Sequence, residues 1–323
     1  MKKPLKITFL DAATVNLNDL NMTSLEVLGP YRAFAMTDQN QVVARAKSAD
    51  VLITNKCLLR KEEIMSLPNL KLICAAATGI NNIDLATAQK RGIAVTNVAG
   101  YSTTTVAEHT LLFLLALAHR LKEHHHSSVE GDWSRSPHFT LLNYPFSDIH
   151  GKTLGIIGYG AIGKEVARLA QNFRMKILIA KLPGRKYPSS PKRLSLIQVL
   201  QKSDFVSLHC ALTKETYHLI NQKTLSSMKP SAILLNLARG PVVSEEDVAH
   251  ALKKNRLAGY STDVLAIEPP PLTHPLFDAS IRSKVLMTPH IAWASIESRQ
   301  RLVEEIAKNI QAFMKGKRRN RVD

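Results

Sequence analysis

The stretch TLGIIGYGAIGKEVARLA, residues 153–170, constrains this chain more than any other. A short apolar run leads into Gly158, Gly160 and Gly163, and a helical pattern follows at once. A lone G-x-G-x-x-G says little. Between a strand and a helix it reads as a dinucleotide-binding turn. Gly158 permits the tight turn, Gly160 lets the backbone approach a pyrophosphate, and Gly163 lets helix and strand pack closely. The helix start then offers unpaired N–H groups to the phosphates. Such a turn normally opens its domain, yet here it lies in mid-chain, so another folding unit must come before it.

The chain has 323 residues, 45% of them hydrophobic, which is long for one core and points to two domains. Before the glycine turn, strand patterns at residues 6–12, 51–54, 72–76 and 94–96 alternate with helical ones. A long helix is expected over 104–125. After it, strands are expected at 154–157, 176–180, 204–208, 232–236, 259–262 and 285–288. This alternation predicts an α/β fold: two Rossmann-like, doubly wound parallel sheets with helices on their faces. A last helix over 295–314 lies beyond the final strand and can return to the first domain. Residues 1–100 with 295–323 would then form the substrate domain, with a cofactor domain of residues 101–294 inserted into it.

Several classes are set aside by composition. No apolar run reaches the roughly 18 residues of a membrane span, and the start MKKPLKITFLDAAT lacks the features of a signal peptide. A cytoplasmic location is therefore expected. Cys57, Cys74 and Cys210 match no zinc spacing and no disulfide scaffold. His124–His126 point in different directions on a helix and make a poor metal site. No metal is expected. The net charge of +17 favours anionic ligands. Apart from the tail KGKRRNRVD the basic residues are scattered, so a solvated surface is favoured over a nucleic-acid site. Binding of nucleic acid through that tail remains the rival reading.

A dinucleotide turn expects an acidic residue about 20 residues further on, to hold the adenosine ribose. Here the second strand ends at Ala180 and Lys181 follows, with Arg185 and Lys186 nearby. A lysine at that point would attract a 2′-phosphate rather than repel it, so NADPH is expected to be favoured over NADH.

Three later strands end in polar residues: Arg239 in NLARGPVV, Asp263 with Glu268 in TDVLAIEPP, and His290 in TPHIAWAS. An arginine, a carboxylate and a histidine at successive strand ends form a candidate catalytic group. With AAATGINNID, NVAGYSTTTVAEHT, GKTLGIIGYGAIG and SDFVSLHCALTKET they make the chain resemble, over nearly its full length, the D-isomer-specific 2-hydroxyacid dehydrogenases. FLDAAT, GINNID and TPHIAWAS are most similar to the glycerate dehydrogenase/hydroxypyruvate reductase subgroup.

The resemblance implies hydride transfer between NAD(P)H and a small 2-keto acid or D-2-hydroxy acid, with hydroxypyruvate or glyoxylate as the first candidates. A 2-keto acid needs a cation for its carboxylate and a proton for its carbonyl oxygen. Arg239 supplies a planar fork of donors, and His290 is placed as the general acid. A paired carboxylate favours the protonated ring, and Glu268 matches the family's partner. Asp263 matches the residue on the nicotinamide carboxamide side. The resemblance further implies cofactor contacts at Thr105, Ala161, Ile162, His209, Cys210, Leu237 and Arg239. It implies substrate contacts at Thr78, Gly79 and Ile80, whose backbone N–H groups would hold a carboxylate. Lys56 is either a second anion contact or a surface lysine. Trp133 either caps an active site, its own or a neighbour's, or packs in a core or interface. The family departs from this chain at Ala211, where proline is common. Homodimers are usual among relatives. The alternative function is a non-catalytic NAD(P)-sensing protein of the corepressor type on the same fold.

Overall fold

Alternation within the first strands settles which side each residue faces. In the computed structural model, which describes residues 4–323, the chain up to Ser102 together with Trp293–Asp323 forms one compact unit. Thr103–Ala292 forms a second. In the first unit, β1 (Ile7–Phe9), β2 (Tyr31–Ala33), β3 (Val51–Thr54), β4 (Leu72–Ala75) and β5 (Ala94–Thr96) are all parallel, in the order β2-β1-β3-β4-β5. Ile7, Phe9, Val51, Ile53, Leu72 and Cys74 share one face with Leu302, Val303, Ile306 and Ile310. Leu52, Ile73 and Val95 share the other with Val42, Ile64 and Leu67. Both faces are covered, as a parallel sheet requires.

The last helix, Ile296–Met314, thus belongs to the core of the first unit. Beyond it the basic tail turns back along the β5 edge. Arg321 bridges Thr96 in antiparallel sense and Val322 N–H donates to Val95 O at 3.0 Å. Arg319 binds Glu305 and Asn309, each at 2.6 Å, and Arg321 pairs with Asp323. These two arginines of the tail are engaged within the fold. Strand β2 carries no apolar run, and nothing in its sequence pattern announces it.

The second unit holds β6 (Thr153–Ile157), β7 (Lys176–Ile179), β8 (Phe205–Leu208), β9 (Ile233–Asn236), β10 (Gly259–Thr262) and β11 (Val285–Met287). They are parallel, in the order β11-β10-β9-β8-β6-β7. A single parallel bridge, Ala180 to Leu194, continues the sheet outside β7. Counted as a vestigial strand, it completes a doubly wound order whose switch point lies between β6 and β8. The phosphate turn after β6 therefore opens at the place where such folds hold ligands.

The helix expected over 104–125 is two helices, Thr103–Ala118 and Leu121–Val129. They are divided at Arg120, whose φ of +49° no helix interior accepts. The Arg120 guanidinium donates to Glu123 at 3.1 Å and stacks over Tyr144, which favours the bend. Among the described residues no helix is long and apolar enough to cross a membrane.

Candidate active site

The glycine turn is built by what a side chain would strike. Gly158 has φ +100°, and a Cβ there would lie 2.4 Å from Cys210 N. A Cβ on Gly163 would lie 2.1 Å from Gly158 O. Around Gly160 the space is open, with nothing within 4 Å of such a Cβ. Two of the glycines are thus demanded by the protein's own packing, and the third leaves an open cradle at the N-terminus of helix Ala161–Asn172. Beside it His209 accepts or donates a hydrogen bond with Ser207 at 2.8 Å. Its Nδ1 is buried without a protein partner. Burial pushes this imidazole down to about 3, so the ring is neutral. An open phosphate cradle next to an orphaned polar atom fits a dinucleotide.

Past the cradle, Lys181 is exposed after β7. The Arg193 guanidinium lies 4.4 Å from the Tyr187 ring centroid and 5.6 Å from that of Tyr159 in the glycine turn. Arg193 Nε is a buried donor without a protein partner. Nothing in the sequence reading singled out Arg193, which is close to the turn only through the fold. Glu215 lies against Gly184 in the same region.

Three adjacent strands carry the candidate catalytic group. Neighbouring strands lie roughly 4.8 Å apart, so β9, β10 and β11 bring the segments of Arg239, Asp263 and His290 to one sheet edge. Asn236 closes β9. Its side chain accepts from Ala238 N and donates to Arg239 O, each at 3.1 Å. That clamp sets the turn carrying Leu237 and Arg239, and Arg239 Nη1 donates to Ala238 O at 2.7 Å.

Asp263 is almost wholly buried and faces the His290 segment. It accepts from Thr288 Oγ1 at 2.6 Å, Ile291 N at 2.8 Å and Ala292 N at 2.9 Å. These fill most of the roughly four acceptor positions a carboxylate has. Thr288 gives its one proton to Asp263, so it accepts from His109 Nε2 at 3.1 Å. Burial lowers the His109 pKa, and the Asp263 charge opposes this.

His290 has φ +56°, a left-handed backbone unusual for a side-chain-bearing residue. The cost is of order 1–3 kcal/mol, and the grip of Asp263 on the next two amides holds it there. Its Nδ1 lies 2.7 Å from Glu268 Oε2, with the two side chains 28% and 35% exposed. The other oxygen of Glu268 accepts from Leu265 N at 2.9 Å.

The remaining expected residues have these places. Thr105 lies in the first turn of helix Thr103–Ala118, and Ala161 and Ile162 open the helix after the cradle. Cys210 and Leu237 are buried after β8 and β9, and burial pushes the Cys210 thiol up to about 11. In the first unit, Thr78 donates to Val98 O at 2.9 Å and opens the turn of Gly79 and Ile80. Lys56 is exposed, and its N–H donates to the buried Asp11 at 2.6 Å. Asp11 also accepts from Thr54, Asn55 and Cys57, so one carboxylate shapes that loop. Trp133 is half exposed and donates to Phe139 O at 3.0 Å.

Comparison with known proteins decides the family. Residues 111–292 match the D-isomer specific 2-hydroxyacid dehydrogenase NAD-binding domain. The chain is 37% identical over 319 residues to a glycerate dehydrogenase of Methylorubrum extorquens, covering 98% of this chain and 99% of that one. The chain belongs to the D-isomer-specific 2-hydroxyacid dehydrogenase family. A hydroxypyruvate reductase of Blautia hydrogenotrophica is 35% identical to this dehydrogenase over 318 residues, 97% and 98% of the two chains. Among solved structures, D-lactate dehydrogenase from Aquifex aeolicus, complexed with NAD and lactic acid, aligns with a TM-score of 0.80. It is 30% identical and covers 96% of each chain. The dehydrogenase is thus an NAD(P)-dependent enzyme of two parallel-sheet α/β units.

Proposed function

We propose that this dehydrogenase reduces a small 2-keto acid, with hydroxypyruvate and glyoxylate as preferred substrates, and oxidises the matching D-2-hydroxy acid in reverse. The observation that carries this reading is the 2.7 Å contact of His290 Nδ1 with Glu268, on strand ends adjoining that of Arg239. The relatives named hydroxypyruvate reductase and glycerate dehydrogenase support the substrate class.

When bound, the nicotinamide cofactor supplies the hydride. Arg239 holds the substrate carboxylate and polarises the carbonyl. Glu268 accepts from Nδ1 of His290 and fixes the ring, so that Nε2 delivers a proton to the keto oxygen. Glu268 then offsets the imidazolium charge before that transfer. Hydride on carbon and proton on oxygen together yield the hydroxy acid. The open face of Gly160, with Ala161 and Ile162, takes the pyrophosphate; Thr105, His209, Cys210, Leu237 and Asp263 complete the cofactor contacts. Thr78, Gly79 and Ile80 offer backbone donors to the carboxylate, and Lys56 adds a positive charge.

NADPH is the preferred cofactor in this reading. Lys181 stands where an acidic residue would repel a 2′-phosphate, and Arg193 brings a second cation beside the turn.

The test is a steady-state panel of 2-keto acids with NADPH and NADH, run on the parent and on His290→Ala. Hydroxypyruvate and glyoxylate should lead the panel. The variant should lose about 10²–10⁴-fold in kcat while still binding cofactor. A His290→Ala protein as active as the parent refutes the assignment. A parent that binds NADPH and turns over no keto acid refutes the enzyme reading in favour of a sensing role.

A further inference from the structure

Behind the candidate catalytic group lies a second carboxylate–histidine pair. Glu245 is the first residue of helix Glu245–Lys253, where an acidic side chain ordinarily faces water. This one points inward. The side chains of Glu245 and His274 are only 7% and 6% exposed. Glu245 Oε2 lies 3.0 Å from His274 Nε2, and Oε1 accepts from Ala266 N at 2.8 Å.

The tautomer follows from a third contact. Leu276 N–H donates to His274 Nδ1 at 3.3 Å, so Nδ1 carries a lone pair and Nε2 carries the proton. The neutral ring therefore donates to the carboxylate, and the charge stays on Glu245. A buried charge is tolerated only when its acceptors are satisfied. Here the two donors are His274 and the Ala266 amide.

Leu265 is where two catalytic segments meet. Leu265 N–H donates to Glu268, the partner of His290. The next amide, Ala266 N–H, is held by Glu245. The backbone at Gly240 packs closely on the Leu265–Ala266 peptide: a Cβ there would lie 2.0 Å from Leu265 C and 2.3 Å from Ala266 N. Gly240 directly follows Arg239. A shift of this peptide, carried through the Leu265 Cα to the preceding amide, would move Leu265 N–H relative to Glu268 and disturb the seat of the Arg239 turn.

We propose that Glu245, oriented by His274, is a positioning residue for the reaction: by holding the Ala266 amide it fixes Leu265, whose own N–H seats Glu268 and whose carbonyl group backs the Arg239–Gly240 turn. The proposal depends on Arg239, Glu268 and His290 acting as assigned above. A misplacement near 1 Å at a catalytic group costs up to about 10²-fold in rate, so a residue that serves two such groups is a sensitive point. Glu245 itself touches neither cofactor nor substrate in this scheme.

The test compares Glu245→Gln, His274→Phe and His274→Gln in the full chain. Glu245→Gln removes the charge. His274→Phe removes the donor, while His274→Gln keeps an N–H donor toward Glu245. Glu245→Gln and His274→Phe should lower kcat by about 10-fold or more, with the Kd for NADPH, read by fluorescence titration, within about twofold of the parent. Amide deuterium uptake over residues 264–268 should quicken, a readout independent of turnover. His274→Gln should recover most of the activity.

An unchanged kcat and unchanged amide exchange over residues 264–268 in folded Glu245→Gln and His274→Phe would overturn the proposal. So would equal losses of cofactor binding, turnover and Tm in all three variants, which would mark a purely structural pair. If His274→Phe does not fold, Glu245→Asp carries the same test, keeping the charge but withdrawing it by one methylene. His290→Ala is measured alongside. If it remains active, the underlying catalytic assignment fails; if it is inactive while the Glu245 variants are not, only the positioning role fails.

Discussion

At Gly158, Gly160 and Gly163 the same residue type answers two different demands. Gly158 and Gly163 are glycines because the backbone of Cys210 and of Gly158 itself occupies the space a Cβ would need. Gly160 is free of any such neighbour. Gly163→Ala should therefore destabilise the protein by about 1–3 kcal/mol, the usual range for overpacking. Gly160→Ala should keep its Tm within a few degrees yet bind NADPH more weakly, as thermal melts with and without cofactor would show. A Gly160→Ala protein that binds as the parent does would remove the turn from the cofactor site. Lys181 poses the other residue-scale question. Lys181→Asp should shift the ratio of kcat/KM for NADPH over NADH toward NADH, by about tenfold or more if a charge-assisted contact worth about 1.5–3 kcal/mol is replaced by repulsion. A parent enzyme already several-fold better with NADH would contradict the preference proposed here.

At the scale of elements, strand order converts distant segments into neighbours. The segments of Arg239, Asp263 and His290 reach one end of the sheet because β9, β10 and β11 are adjacent, and local devices hold them there. Asn236 clamps the Arg239 turn, Asp263 grips the amides after His290, and the Leu265 amide holds Glu268. Strand ends are legible in sequence, and so were these three positions. The devices behind them were not. Glu245 reads as an ordinary acid in the first turn of a helix, and only the packed structure shows that it turns inward. Another element carries exposed apolar side chains: after helix Leu121–Val129, Phe139 is 91% and Leu142 78% exposed, with Trp133 and Phe146 also open.

Across the whole molecule the basic excess is partly held in specific pairs, and two of these bind the first unit together. Arg299 on the last helix forks onto Asp19 at 2.8 and 2.6 Å, and its hydrogen bonds lower that carboxyl to about 2. Arg321 does the same for Asp323, whose side chain also accepts from Val95 N at 2.9 Å, and it too is lowered to about 2. A carboxyl depressed in the folded state stabilises fully above its ordinary value and ceases to do so as pH falls through the depressed one. Stability contributed by these pairs should therefore disappear between about pH 4 and pH 2. In Asp19→Asn, acid unfolding followed by circular dichroism should lose part of its steepness in that window. An identical acid profile would show that the pair contributes nothing.

The order of apolar runs, the spacing of three glycines and the polar strand ends are local patterns. From them the sequence alone determined the α/β class and the strand–turn–helix setting of the three glycines, and it placed Arg239, Asp263 and His290 at strand ends as candidates. Two further features arose only when the chain folded: the cation of Arg193 beside Tyr159, and the buried Glu245–His274 pair. Each joins side chains from segments far apart, and the inward turn of a carboxylate depends on what surrounds it. Burial and partnership are properties of packing, and a residue's own neighbours in sequence do not carry them.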